Sequence, residues 1–204
     1  MPQLTPPRAP NLPLPPVEYA KLQQDQLNNA LRLYFNQLDA TFQQMLLGFN
    51  HYGTFYDTTT QTAAVINTAY PVTFNTTAEV FGVSLGATDT SRVYANRAGV
   101  YNFQFSAQLD HTGGGKVDFY FWFRKNGVDI PDSATKVVVA GPNDEIVAAW
   151  NYLITMQSGD YFQLVWSAND TAARLLAAAA VAPVPAIPSV ILTVTYVYPN
   201  AASL

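Results

Sequence analysis

Tyr101, Phe103, Phe105, Ala107 and Leu109 alternate with Asn102, Gln104, Ser106, Gln108 and Asp110. A period of two belongs to a β-strand with one buried and one wet face. The pattern returns at Val117, Phe119, Phe121 and Phe123, which alternate with Asp118, Tyr120, Trp122 and Arg124. Further runs lie at residues 146–157, at Phe162, Leu164 and Trp166, and at Val190, Leu192, Val194 and Tyr196. Shorter candidates are residues 64–67, 79–84, 91–95 and 136–140. Turn signals separate them: Gly113-Gly114-Gly115, Asn126-Gly127, Gly141-Pro142 and Ser158-Gly159-Asp160. Many short strands at this spacing predict a mainly β antiparallel sandwich over residues 54–204.

Two segments precede it. Residues 1–16 hold seven of the fourteen prolines. Proline fixes φ and removes a donor, so this stretch predicts an extended arm. It reads either as a plain tail or as an arm that docks on a partner through Leu4, Leu12, Leu14 and Val17. Residues 17–48 have no internal proline or glycine before Gly48. Ala20, Gln24, Leu27, Leu31, Tyr34, Leu38, Thr41 and Met45 follow at steps of three and four. That spacing predicts one long helix with a heptad-like stripe. Leu22, Leu33, Phe35, Phe42, Leu46 and Leu47 widen the apolar face beyond one seam. The helix either packs on its own sandwich or meets another subunit; the breadth of the stripe favours the second.

Charged residues make up only 12% of the chain against 49% apolar, so an oligomer that hides surface is expected. The net charge of −4 with ten scattered basic residues opposes nucleic-acid binding. The most apolar stretch, residues 175–188, is short and broken by prolines, which opposes a membrane span. The opening MPQLTPPRAP lacks the apolar run of a signal peptide. No cysteine is present, which removes thiolate metal sites and thiol nucleophiles. Asp110 and His111 are strand neighbours whose side chains should point to opposite faces, so with Ser106 they form no triad. They read as a solvated hairpin end. His51 reads as a satisfied histidine at the joint between helix and sandwich. Asp129, Asp132, Asp144, Glu145, Asp160 and Asp170 lie near turns and read as turn-stabilising. No catalytic residue, metal ligand or cofactor is expected. Tyr120, Trp122 and Trp150 are expected on an outer face, where they would meet a neighbouring subunit or form a sugar-binding platform.

Four elements in order carry a resemblance: AGVYNFQFSAQLDH (98–111), KVDFYFWFRKNGVDIPDS (116–133), LITMQSGDYFQLVWS (153–167) and PSVILTVTYVY (188–198). This set resembles the jelly roll of tumour necrosis factor and of the globular heads of complement component one q. Within it, the Ile187-Pro188-Ser189 lead and the Arg124-Lys125-Asn126-Gly127 turn resemble bacteriophage virion proteins, especially those of marine phages. LPLPPVEYAKLQQDQLNNALRLYFNQLD (12–39) resembles attachment segments of phage structural proteins. The resemblance implies a non-enzymatic homotrimeric head fibre, knob or capsid decoration. Residues 1–48 would bind other virion proteins, with Leu27, Leu31, Tyr34, Leu38 and Met45 as contacts. The alternative is a tail-associated protein that recognises a host-surface glycan or protein.

Overall fold

A computed structural model describes residues 10–12, 21–48 and 51–199, with the helix side chains described to residue 43. Most of the proline-rich arm, and residues 17–20 of the expected helix, lie outside the described residues. The chain divides into two compact units, the helical one and residues 50–200.

The first unit carries α1, Lys21–Gly48. At 1.5 Å per residue it is about 42 Å long. Leu27, Leu31, Tyr34, Leu38 and Thr41 are half-buried, while Leu22, Leu33, Phe35 and Phe42 are exposed. The apolar surface therefore exceeds one stripe, as the sequence predicts. Met45 lies within the helix, but its side chain is outside the described set. Among the described residues no helix is long and apolar enough to cross a membrane.

The second unit is a β-sandwich. Its strands are β1 (Tyr52–Asp57), β2 (Gln61–Thr62), β3 (Tyr70–Pro71), β4 (Thr76–Phe81), β5 (Val83–Leu85), β6 (Val93–Ala95) and β7 (Gly99–His111). They continue with β8 (Val117–Lys125), β9 (Val128–Asp129), β10 (Thr135–Val139), β11 (Ile146–Met156), β12 (Tyr161–Ala168), β13 (Ala173–Leu175) and β14 (Val190–Tyr198). One sheet runs β4-β1-β14-β7-β11, with β13 and β2 continuing beside the far end of β7. The other runs β5-β6-β12-β8-β10, with β3 on β12 and β9 on β8. All the pairings are antiparallel. The two sheets form the sandwich of a jelly roll, with β7, β11 and β14 in one and β8, β10 and β12 in the other.

The period-two residues face each other between the sheets. Phe103 stacks across the gap on Phe162 at 3.9 Å between ring centroids, and within the second sheet Phe119 lies parallel to Trp166 at 6.2 Å. Tyr101, Phe105, Phe121 and Phe123 are also fully buried. Flat rings fill a gap of about 10 Å between two sheets with few side chains, which is why the strands are so rich in Phe and Tyr. Asn126 and Gly127 both have positive φ, 50° and 81°, the requirement of a two-residue hairpin turn. The Asn126 side chain then accepts from Tyr161 N (2.9 Å) and donates to Asp160 (2.7 Å).

The weaker strand expectations shift. Residues 64–67 form turns, and the flanking pieces Gln61–Thr62 and Tyr70–Pro71 pair instead. Residues 79–84 are not one strand. Gly82 at φ 69° breaks them, and a Cβ there would fall 1.8 Å from the His51 ring.

Candidate functional site

Among the described residues no three His, Asp or Glu side chains cluster so as to hold a metal ion. The acidic residues near turns are engaged locally. Asp160 accepts from Gln157 N (2.7 Å) and pairs with Lys125 (2.9 Å). Asp170 accepts from Ala172 N (2.8 Å). His51 packs its ring on Tyr196, with centroids 5.5 Å apart, and its carbonyl accepts from Tyr196 N.

The expectation of a solvated hairpin end at Asp110 and His111 is corrected. Asp110 is buried and pairs with Arg174 on β13. His111 is 0% exposed, and among the described residues neither ring nitrogen has a hydrogen-bond partner. The reason is topological. β13 pairs with the end of β7, and the loop after β10 closes over it through Asn143 N, which donates to the His111 carbonyl (2.8 Å). Neither partner is adjacent in sequence, so local pattern could not reveal the burial.

The three aromatic candidates separate. Tyr120 and Trp122 are on the outer face of the second sheet, each half-buried in a polar network. Trp122 Nε1 donates to Asp129 Oδ1 (2.8 Å), and Arg124 Nε donates to the same oxygen (2.7 Å). The Arg124 bond holds the Asp129 carboxyl below its ordinary range, against burial, which pushes it up. Lys136 Nζ donates to Asp118 Oδ2 (2.6 Å) and sits 5.9 Å from the Tyr120 ring centre. That bond lowers Asp118 and raises Lys136. Trp150, by contrast, is not on an outer face. Its ring points between the sheets, 4.5 Å from Phe105 and 5.8 Å from Phe121. In IVAAWNYLITM both parities carry apolar residues, so the period cannot choose the inward face.

Sequence reasoning missed the most unusual surface. On the outer face of the first sheet the rows through Asn102, Gln104, Ser106 and Gln108 of β7 carry no charge from β1 to β11, and the Asp110–Arg174 pair lies beyond them. Thr54, Thr193, Gln104 and Asn151 form one row, and Tyr52, Thr195, Asn102 and Leu153 form the next. β11 ends this sheet and, among the described residues, pairs only with β7. It is an edge strand of 11 residues with no charge and no proline, and it exposes Val147 (54%) and Leu153 (57%). The other edges differ: β4 carries Glu79, β10 carries Lys136, and β5 has 3 residues. Proteins normally blunt a long edge with charge, proline or a cover. Here only a cover remains.

No family model matches the chain, and no curated protein matches it. Solved structures do resemble it. The globular domain of zebrafish complement 1qA protein is 15% identical, over 74% of this chain and 100% of that one, with a TM-score of 0.48. Eiger TNF from S. frugiperda is 7% identical, over 74% of this chain and 94% of that one, with a TM-score of 0.49. The jelly-roll assignment rests on this chain's own strand order and pairing.

Proposed function

We propose that the chain is a non-enzymatic structural protein of a bacteriophage virion. In this reading it is a homotrimeric head fibre, knob or capsid decoration, held to the particle by residues 1–48. The observation that carries the oligomer is the β11 edge. A long, uncharged edge strand that exposes Val147 and Leu153 is prone to pair with a further chain unless a second surface covers it. A further copy of the same chain supplies such a surface in matching amount, and closed rings of identical subunits leave none exposed. The virion assignment rests on the sequence resemblance at residues 12–39 and 187–189. The exposed apolar residues of α1, Leu22, Leu33, Phe35 and Phe42, support a helix that binds another protein.

A second reading, receptor recognition from the tail, is favoured by Trp122 and Tyr120 on the outer face of the other sheet. An aromatic flanked by carboxylates suits a sugar ring. Against it, Asp129 and Asp118 already take the nearby cations. Cryo-electron microscopy of purified particles tests both. Three-fold knobs on the capsid, lost on deletion of residues 1–48, support the first reading. Density at the tail tip, with adsorption lost in Trp122→Ala, supports the second. Particles without the protein would end both.

A further inference from the structure

Residues 175–188, LLAAAAVAPVPAIP, contain no polar side chain, and residues 178–187 are all exposed. Val181 is 72% and Val184 53% exposed. An apolar surface loop is ordinarily short or loosely held, but this one is a laddered hairpin. Ala178 and Ile187 exchange two backbone hydrogen bonds (both 2.9 Å), and Val181 and Val184 exchange two more (3.0 and 2.7 Å).

Its root lies in the uncharged sheet. Leu176 N donates to the Gln108 carbonyl (2.8 Å), and Gln108 N donates to the Ser189 carbonyl (2.9 Å). β13 and β14 are thus one interrupted strand beside β7, and the finger is the interruption. On the other side of β7, Gln108 faces Val147 of the bare edge strand. The finger and the edge therefore border the same uncharged strip, which ends at the Asp110–Arg174 pair.

The composition chooses the occupant. Residues 175–188 offer no hydrogen-bonding side chain to sugar hydroxyls. They hold no Trp, Tyr, Lys or Arg, the residues that seat a loop at a lipid interface. What they can bury is methyl groups against the apolar members of an uncharged face, such as Tyr52, Val147 and Leu153. We propose that the finger is an inter-subunit arm that lies across the uncharged sheet face of a second copy of this chain. Each arm of the hairpin, at about 3.3 Å per residue, reaches roughly 16 Å. Packed sheets are about 10 Å apart, so the finger spans the joint with length to spare. This inference rests on the homotrimer reading.

The test uses the full chain and its lack of cysteine. Val181→Cys, labelled with a benzophenone maleimide, carries one photoreactive group at the finger tip. Mass photometry of the labelled protein is run beside irradiation, gel analysis and peptide mapping, with isotope-labelled and unlabelled chains mixed. The expected result is a trimer whose mixed-isotope cross-links join residue 181 to residues 100–108 or 146–156 of another copy. A trimer with no inter-chain cross-link, or with cross-links elsewhere, overturns the arm and leaves the trimer standing. A single-copy mass overturns both. Flotation of the protein with neutral or anionic vesicles overturns the arm in favour of lipid. A second variant, Val181→Asp with Val184→Asp, changes residues exposed in one chain. It should leave the fold intact and weaken the trimer by roughly a hundredfold, as two apolar contacts per copy are lost; an unchanged trimer overturns the arm.

Discussion

Replacing His111 by Leu should stabilise the protein. The imidazole is fully buried, and both ring nitrogens lack partners among the described residues. In the neutral ring one nitrogen is a donor and the other an acceptor, so two bonds to water are lost on folding. An unsatisfied buried group costs about 1–3 kcal/mol. Leu removes that cost, and its different shape costs under about 1.5 kcal/mol in repacking. The backbone bond from Asn143 N to the residue 111 carbonyl is unaffected by the side chain. Two such groups less the repacking leave a net gain of at least about 0.5 kcal/mol, and a domain of this size gains about 2–4 °C in Tm per kcal/mol, so Tm rises by at least about 1 °C. Differential scanning calorimetry of the full chain at neutral pH reads it. A fall in Tm of several degrees refutes the reasoning, because it would mean that the imidazole makes bonds that Leu cannot.

Asp160→Asn should lower stability at neutral pH by about 1–3 kcal/mol, the usual worth of hydrogen bonds to a charged group. Burial pushes the Asp160 carboxyl up, but the bonds from Gln157 N, Asn126 and Lys125 together bring it below the ordinary carboxylate value. A depressed folded value gives stability that is complete above about pH 4 and fades as pH falls through the folded value. The gap in Tm between wild type and variant should therefore close below about pH 4; a constant gap would contradict this. Phe162→Ala removes one ring of the 3.9 Å stack on Phe103 and should cost about 3–5 kcal/mol in a denaturant titration.

The parts of the fold legible in the sequence are those where one parity is apolar and the other polar. Tyr101 to Leu109 and Val117 to Phe123 show their inward faces directly, and Asn126-Gly127 names its turn. Trp150 was not legible, because its strand is apolar on both parities. The same property makes that strand a bare edge, so the failure of the pattern marks the surface of interest. The burial of His111 and the rooting of the 178–187 finger depend on pairings between distant segments, such as Gln108 with Ser189. The prolines and short length of the finger opposed a membrane-spanning helix. They could not show that it stands in solvent as a laddered hairpin.

The account stands on a homotrimer closed over the uncharged sheet and its β11 edge. Sedimentation equilibrium of the full chain at micromolar concentration tests this directly, beside the double variant Val147→Asp, Leu153→Asp. Both residues are more than half exposed in one chain, so the substitutions should cost the isolated fold under about 0.5 kcal/mol each. The account predicts three times 22.3 kDa for the wild type and 22.3 kDa for a variant that keeps its β-sheet circular dichroism. A wild type at 22.3 kDa, or a double variant that remains trimeric, would contradict it.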